Sequence, residues 1–405
     1  MKIFTFIVAF FISLSTLAGT LVINNNQSDP RARDVMYAYI EAFKKAHPEV
    51  TVQVNDFNHE DHKVAIRNFL TAEAPDIAMW FAGNRMKFFV DQGLFEDVSD
   101  VWASAGLNDS MASSKPTLTV DGKQYGVPYA YYQWGVYYRK DIFDRLGLNV
   151  PKTWDEFKWV CAMLKKDGVQ PITIGTKYLW TAAGWFDYLN LRINGYDYHM
   201  KLMAGDASYL DSELDAVFDE WRILVENDYY LKDHATMSWQ DAITPLINGE
   251  SAMYLMGNFV VPFVEDGGAI DHLDYFQFPP INPAAGMIED APTDTFHIPS
   301  GAKNKEDARK FLAFISNADA AYALASGNGS LTPNANAAPP PDRFQQKGFA
   351  VLNAADGIAQ FYDRDTNPDM AKVGMEGFQE FMVKPDREDK IRARLDKERK
   401  RIFNK

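Results

Sequence analysis

Between Thr20 and Phe81 the chain keeps switching its hydrophobic period, and that order admits few folds. "TLVINNN" reads as a strand that stops in the polar turn "NNNQSDPRARD". In "DVMYAYIEAFKKAHPEV", Met36, Ile40 and Phe43 recur at helical spacing, with Asp34 as candidate cap and a stop at His47-Pro48. "VTVQV" alternates as a short strand, "HKVAIRNFLTAEA" returns to the helical period, and "DIAMWF" follows the break at Pro75. Strand, helix, strand, helix, strand is the pattern of a parallel α/β sheet. Ligands of such sheets sit beyond the carboxyl ends of the strands. Here those ends are "NNNQSD" and "MWFAGNR", both polar or aromatic.

A chain of 405 residues exceeds what one core organises, so two lobes are expected. "PKTWDEFKWVCAMLKKDGVQPITIG" gives a helix and strand, with Thr153 as cap and Glu156 in capping-box position. Helices follow in "TAAGWFDYLNLRI" and "DSELDAVFDEWRILVEN", then a helix ending at Gly249 and a buried strand "SAMYLM". The proline-rich "FQFPPINPAAGMIEDAPTDTFHIPSGAKN" and "NANAAPPPDRF" read as crossings between lobes. The remainder reads as helices. The last one carries Ile391, Leu395 and Ile402 on one stripe among mixed charges, a solvated surface helix.

The segment from Tyr125 to Phe143, "YGVPYAYYQWGVYYRKDIF", crowds Tyr and Trp where a strand usually carries aliphatic residues. Both faces of that strand therefore bear rings with polar tips, which suit half-wet clefts. Further aromatics fall at the ends of elements: Trp80, Trp180, Trp185, Trp239 and Phe259. Asn25, Gln27, Asp29, Gln133, Asp241 and Asn258 are interleaved with them. A pyranose offers apolar C–H faces to flat rings and a belt of hydroxyls to planar polar groups. Taken singly, each of these aromatics is better read as core; as a set at element ends they point to a cleft.

A formal net charge of −14 argues against a nucleic-acid partner, which needs a basic face. "MKIFTFIVAFFISLSTLAG" has one Lys, an apolar run broken by Ser13, Ser15 and Thr16, and small residues before a cut after Ala18. That is a signal peptide over residues 1–18, and an uncleaved anchor is the rival reading. Cys161 is the only cysteine, so neither an intramolecular disulfide nor a lipidated mature N-terminus is available. Export without either points to the periplasm. Cys161 itself sits at helical spacing with Phe157 and Leu164 and reads as a buried spacer.

Familiar chemistry is absent: the chain has no GxSxG, GxxxxGK[ST] or GxGxxG. Asp211, Asp215 and Asp219 share one helix face, and a row on one helix is its solvated side, unlike the opposed carboxyls of a glycosidase. In "NHEDH", His59, Asp61 and His62 could ligate zinc, but no third partner is visible; the start of a surface helix accounts for them, and Asp61 or His62 could still reach a ligand. No cofactor and no metal is expected.

Four stretches resemble, in order, landmarks of the solute-binding proteins of ABC-type sugar importers. They are "APDIAMW", "DGKQYGVPYAYYQWGVYYRKDIFDRLGLNVPKTWDEF", "INGESAMYLMGNF" and "TFHIPSGAKNKEDARKFLAFIS". The resemblance implies an α/β fold of two lobes, type II-like and related to maltose-binding protein, each lobe a mainly parallel sheet flanked by helices. Residues 19–128 with 293–341 would form one lobe, and 129–292 with 342–405 the other. It implies ligand contacts from Asn25, Gln27 and Asp29, from Trp80, and from Tyr131, Tyr132 and Trp134. It implies further contacts from Trp239 with Asp241, from Gly257-Asn258, and from Asn328-Gly329. Asp61, His62, Trp180 and Trp185 complete the candidate set. Where relatives that bind glucose often carry paired Trp, this chain has Asn24-Asn25-Asn26, and Phe259 stands where many have Trp.

The function so implied is a periplasmic, unlipidated, monomeric receptor that hands a neutral mono- or short oligosaccharide to an ABC permease and performs no catalysis. Two rivals stand beside it: a secreted carbohydrate-active enzyme, and the same fold caging a quaternary ammonium compound by cation–π attraction.

Overall fold

The computed structural model describes residues 19–404, so the leader expected over residues 1–18 lies outside the described residues. The alternation read from the sequence forms β1 (Thr20–Asn25), α1 (Pro30–Ala46), β2 (Thr51–Asp56), α2 (His59–Ala72) and β3 (Ile77–Phe81). Helix α1 starts earlier than expected. Its N-cap is Asp29, not Asp34, because Pro30 has no N–H to satisfy and its fixed φ suits the first turn. Asp29 makes no capping bond, which leaves its carboxylate for other use. Asn58 caps α2 by accepting from the Glu60 N–H, and the short α3 (Asn84–Val90) follows β3.

The "YGVPYAYYQW" segment divides between two sheets. It ends one strand, β4 (Val127–Tyr131), and opens the next, β5 (Trp134–Arg139), with only Tyr132 and Gln133 between them. Then come α4 (Trp154–Asp167), β6 (Gln170–Ile172), α5 (Trp180–Met203), α6 (Asp215–Glu226), α7 (Ile243–Asn248), β7 (Ser251–Gly257) and β8 (Leu273–Phe276). Thr153 caps α4 as expected, and the Glu156 carboxylate accepts from the Lys152 N–H at 2.6 Å. After β9 (Ile288–Asp290), β10 (Thr293–His297) carries the chain back to the first sheet. Helices α8 (Lys305–Ile315), α9 (Ala318–Asn328) and α10 (Arg343–Ala354), strand β11 (Gly357–Ala359), and helices α11 (Pro368–Val383) and α12 (Glu388–Phe403) complete it.

The first sheet has the order β2-β1-β3-β10-β4 and the second β8-β5-β7-β6. β1 is parallel to β2 and to β3, and β6 to β7. β10 lies antiparallel between β3 and β4, since it arrives from the opposite half of the molecule. Its register against β4 shifts between Asp294 and Thr295, an irregularity of the kind that re-aims a side chain. Each half has a dense core. Leu21, Ile23, Phe43 and Phe296 are fully buried in the first; Phe157, Phe186, Phe218, Trp221 and Met253 are fully buried in the second.

Cys161 is buried, and that burial pushes its thiol up, as an inert spacer requires. In α12, Ile391 and Leu395 are fully buried, and Arg392, Asp396 and Arg399 are buried with them. The helix is thus more deeply packed than a solvated surface helix. Among the described residues no helix is long and apolar enough to cross a membrane.

Candidate functional site

A cavity of about 550 Å³ lies between the two sheets, beyond the carboxyl ends of β1 and β2. From the first half it takes the loop after β1 (Gln27, Ser28, Asp29, Pro30, Arg31), the start of α2 (Asn58, His59, Glu60, Lys63), Tyr132 and Asp294. The second half supplies Trp134 at the head of β5, Tyr178 and Trp180 before and at the start of α5, Trp239, Phe259, and a late segment with Phe361, Asp363 and Arg364.

The apolar walls are rings set nearly at right angles. Trp134 meets Trp180 at 87° and Phe259 at 80°, and Phe259 meets Trp239 at 83° and Tyr132 at 88°. Edge-to-face contact is the favoured pairing of aromatic quadrupoles, and here it leaves flat faces turned in different directions. Two walls rest on strained backbone. Leu179, with φ 71° and ψ −41°, is the centre of a γ-turn in which the Trp180 N–H reaches the Tyr178 carbonyl at 2.8 Å. Phe361 has φ 141°, in the region that favours glycine.

Charges line the cavity in pairs that join its two halves. The Asp294 carboxylate accepts from the Tyr132 hydroxyl at 2.6 Å and lies 3.0 Å from an Arg364 nitrogen. Burial raises the Asp294 carboxyl above its ordinary value, and Arg364 opposes that rise. Arg85 pairs with Asp363 at 2.7 Å; burial works against ionising Asp363, but Arg85, Lys63 and Arg364 prevail and hold it low. Gln240 Nε2 donates to Asp29 at 3.2 Å, and the Trp180 indole N–H donates to Glu60 at 3.2 Å. Asp29 is raised by burial, with the Gln240 bond working the other way. Lys63 is held by Glu60 at 3.1 Å and lies 6.0 Å from the Trp180 ring centroid. Burial and then Lys63 drive His59 well below its usual range, so the imidazole is neutral.

Of the residues proposed from sequence, Gln27, Asp29, Tyr132, Trp134, Trp180, Trp239 and Asn328 line this cavity together. The others lie outside its lining. Trp185 is packed among Tyr230, Phe157 and Phe278 in the second core. Trp80 is buried, its N–H on the Arg85 carbonyl. His62 is buried with Nε2 2.8 Å from the Met79 carbonyl, tying α2 to β3, while Asp61 is exposed. Asn25 spends its amide on Asp56 at 2.8 Å. Tyr131 bridges to Leu331 through its backbone, and its ring meets Phe349. Asp241 turns back to the Ser238 N–H at 3.1 Å. Gly257 ends β7, Asn258 is fully buried behind it, and Gly329, with φ 76°, ends α9. Among the described residues no cluster of His, Cys, Asp or Glu is placed to hold a metal.

Asp294, Phe361, Asp363 and Arg364 were missed by sequence reasoning. Asp294 sits in a stretch that reads as a crossing, and nothing local to "GIAQFYDRD" marks it as part of a site.

The model of a family described as bacterial extracellular solute-binding protein matches residues 29–322. An ABC transporter extracellular-binding protein of Pyrococcus horikoshii is 26% identical over 332 residues, 80% of this chain and 74% of its own length. A multiple sugar-binding protein of Streptococcus mutans is 23% identical, over 75% of this chain and 76% of its own. Among solved structures, the bacterial solute receptor AcbH, described as having an exclusive preference for β-D-galactopyranose, superposes with a TM-score of 0.90 at 33% identity. That match covers 95% of this chain and 99% of AcbH.

Proposed function

The chain belongs to the bacterial extracellular solute-binding protein family, and on that premise we propose that it is a periplasmic receptor for a neutral monosaccharide or short oligosaccharide, which it delivers to the permease of an ABC-type importer. The observation that carries this is the pairing of perpendicular aromatic walls with buried charge pairs in one cavity between two sheets. Its volume falls within the range of small-molecule sites, about 300–1,000 Å³. Rings take the C–H faces of a sugar. Asp29, Asp294 and Arg364 then supply fixed acceptors and donors to its hydroxyls, and charge-assisted bonds of that kind are the strong ones. Trp134, Trp180 and Trp239 are the stacking residues of this reading. β-D-galactopyranose is the first ligand to test, given the likeness to AcbH.

Closure follows from geometry. Ligand contacts reach both halves at once, so the closed form alone satisfies them, and that differential affinity shifts the population. We divide the lobes as the sequence suggests, with the first crossing at Tyr132-Gln133 instead of Pro128, because β4 stays in the first sheet to Tyr131. One copy holds a whole cavity, and a monomer is the working state.

The family consists of solute-binding proteins, and we read this site as binding without chemistry. Its carboxylates are engaged with Gln240, Trp180, Tyr132, Arg364 and Arg85 instead of facing one another across a bond to be cut. A quaternary ammonium ligand is disfavoured by Lys63 and Arg364, which already put positive charge into the aromatic cage. The test is a melting screen of the mature protein against D-galactose, D-glucose, D-xylose, maltose, raffinose, betaine and choline. A sugar at a hundred times its Kd should add about 2.7 kcal/mol of stability. A shift with betaine or choline alone, or release of reducing ends from raffinose, would overturn the reading.

A further inference from the structure

The family match ends at residue 322, yet the chain comes back to the cavity afterwards. Between β11 and α11, one short arm supplies Phe361, Asp363 and Arg364 to the lining. Its backbone is held from both sides. Asp365 Oδ2 accepts from the Gln360 N–H at 2.8 Å and from the Phe361 N–H at 3.3 Å. Asp187 Oδ2, on α5, accepts from the Tyr362 N–H at 2.6 Å. The arm also reaches the first sheet, where the Gln360 side-chain oxygen accepts from the Thr293 N–H at 3.2 Å.

Between these anchors Phe361 sits at φ 141° and ψ 150°, a conformation that persists only where the surroundings over-determine it. The strain has a visible product. The Phe361 ring lies against Trp134 with centroids 4.8 Å apart and planes tilted by 34°. Room for the pair is left by Gly184 inside α5, where a Cβ would come within 3.2 Å of the Trp134 ring and 3.3 Å of the Phe361 ring. A helix-interior glycine, a strained aromatic and two buried carboxylates all serve one contact at the cavity wall. Packing alone would be met more cheaply by a relaxed turn with neutral partners.

We propose that Asp365 and Asp187 are positioning residues that clamp the Gln360–Tyr362 backbone and thereby fix Phe361 against Trp134, making this arm the specificity-determining element of the receptor. The proposal rests on the sugar-receptor reading for what is discriminated, but not for the clamp itself. Burial of both carboxylates, which raises Asp365 to about 6 and also raises Asp187, fits groups kept for what they hold in place.

The experiment compares the wild type with Asp365→Ala, Asp365→Asn and Phe361→Leu in two assays. Titration calorimetry reads the affinities for D-galactose and D-glucose. Fluorine NMR of protein labelled with 5-fluorotryptophan reads the Trp134 resonance without any sugar, assigned by Trp134→Phe. Asp365→Ala should weaken the preferred hexose about tenfold, pull the ratio between the two hexoses toward one, and move the Trp134 resonance in the direction Phe361→Leu moves it. Asp365→Asn keeps an acceptor oxygen, and should restore both the ratio and the resonance. A clamp that is merely structural would lower both affinities alike, or the melting point alone, and leave the ratio and the resonance in place; that result overturns the proposal. Should Asp365→Ala fail to fold, Asp187→Ala, which removes the acceptor of the Tyr362 N–H, is read in the same assays against the same outcomes. If the wild type binds neither hexose, the parent reading fails for them, and the fluorine arm still decides the clamp.

Discussion

Replacing Arg364 by Met separates a charge pair that closes the cavity from one that merely sits in a core. The Arg364 and Asp294 side chains are 13% and 6% exposed and 3.0 Å apart. Methionine keeps apolar contact with Phe81, whose centroid lies 4.3 Å from the guanidinium, but leaves Asp294 to the Tyr132 hydroxyl, with Tyr129 and Lys63 as weaker neighbours. Removing one partner of a buried pair costs about 3–5 kcal/mol, and the surviving 2.6 Å bond puts this case nearer 2–3 kcal/mol. Where the cost appears is the informative part. The pair joins a strand of the first sheet to an arm on the second, so opening the cleft rehydrates Asp294 and the penalty falls on the closed form. Affinity for the sugar found in the melting screen should then drop roughly 30- to 150-fold, with the unliganded melting temperature nearly unchanged. Burial already raises Asp294 against the pull of Arg364. Without that pull, closing the cleft raises it further, so binding takes up a proton and strengthens as pH falls from neutrality. Calorimetry in two buffers of different ionisation heat measures that uptake. A large fall in unliganded stability with an unchanged Kd would refute the reasoning and place the pair in a static core.

Trp239→Ala removes a ring held edge-on between Phe259 and Phe263, both at 5.1 Å, and should abolish the ligand-induced melting shift; a surviving shift removes Trp239 from the site. Trp185→Ala, deep in the second core, should cost about 3–5 kcal/mol in denaturant unfolding while the Kd of the folded protein stays the same. His297 is fully buried, stacked 4.2 Å from Phe95, with burial lowering it to about 4. The unfolded chain therefore binds its proton first, and His297 makes stability fall as pH drops from about 6.5 to 4. His297→Gln should flatten the stability–pH slope across that window by up to about 3 kcal/mol, and an unchanged slope would mean the imidazole is hydrated.

The first sheet was legible because its evidence is local. The switch between a period near two and one of 3.6 marks β1 to β3, and the carboxyl-end rule puts a cleft beyond Gln27 and Asp29. The same local rules set the limits. Trp185 follows Trp180 by five positions, roughly 140° around a helix, so the two rings face opposite ways once the start of α5 is known. Trp80 and Phe81 alternate across β3, and the Phe81 face is the one that meets Arg364. Asn25 is the last residue of β1 and is used up within the sheet by Asp56. Asp294 and Arg364 are seventy residues apart in sequence and paired in space, and no periodicity connects them. Phe361 was illegible for a stronger reason: its residue type argues against the backbone it adopts, and only Asp365 and Asp187 together make that backbone tolerable.

The polar contacts across the cleft also bound how firmly the two halves can hold each other unaided. Arg31 reaches Glu265 at 2.6 Å, but both side chains are about half exposed, and such pairs contribute about 0–1 kcal/mol. The Gln240–Asp29 and Trp180–Glu60 bonds are each 3.2 Å, at the long end for N–H donors. The Arg85–Asp363 and Arg364–Asp294 pairs are buried, where the cost of desolvation offsets much of their attraction. Against them stand the buried carboxyls of Asp29 and Asp294, which closure takes out of water. Closure without ligand therefore gains little and leaves polar groups half satisfied. A polyhydroxylated guest changes both terms at once: it offers hydroxyl donors to the carboxylates, and its C–H faces cover the rings. The groups that make the empty closed form costly are the same ones that make the filled form selective, and a receptor that must release its cargo needs that balance near zero when empty.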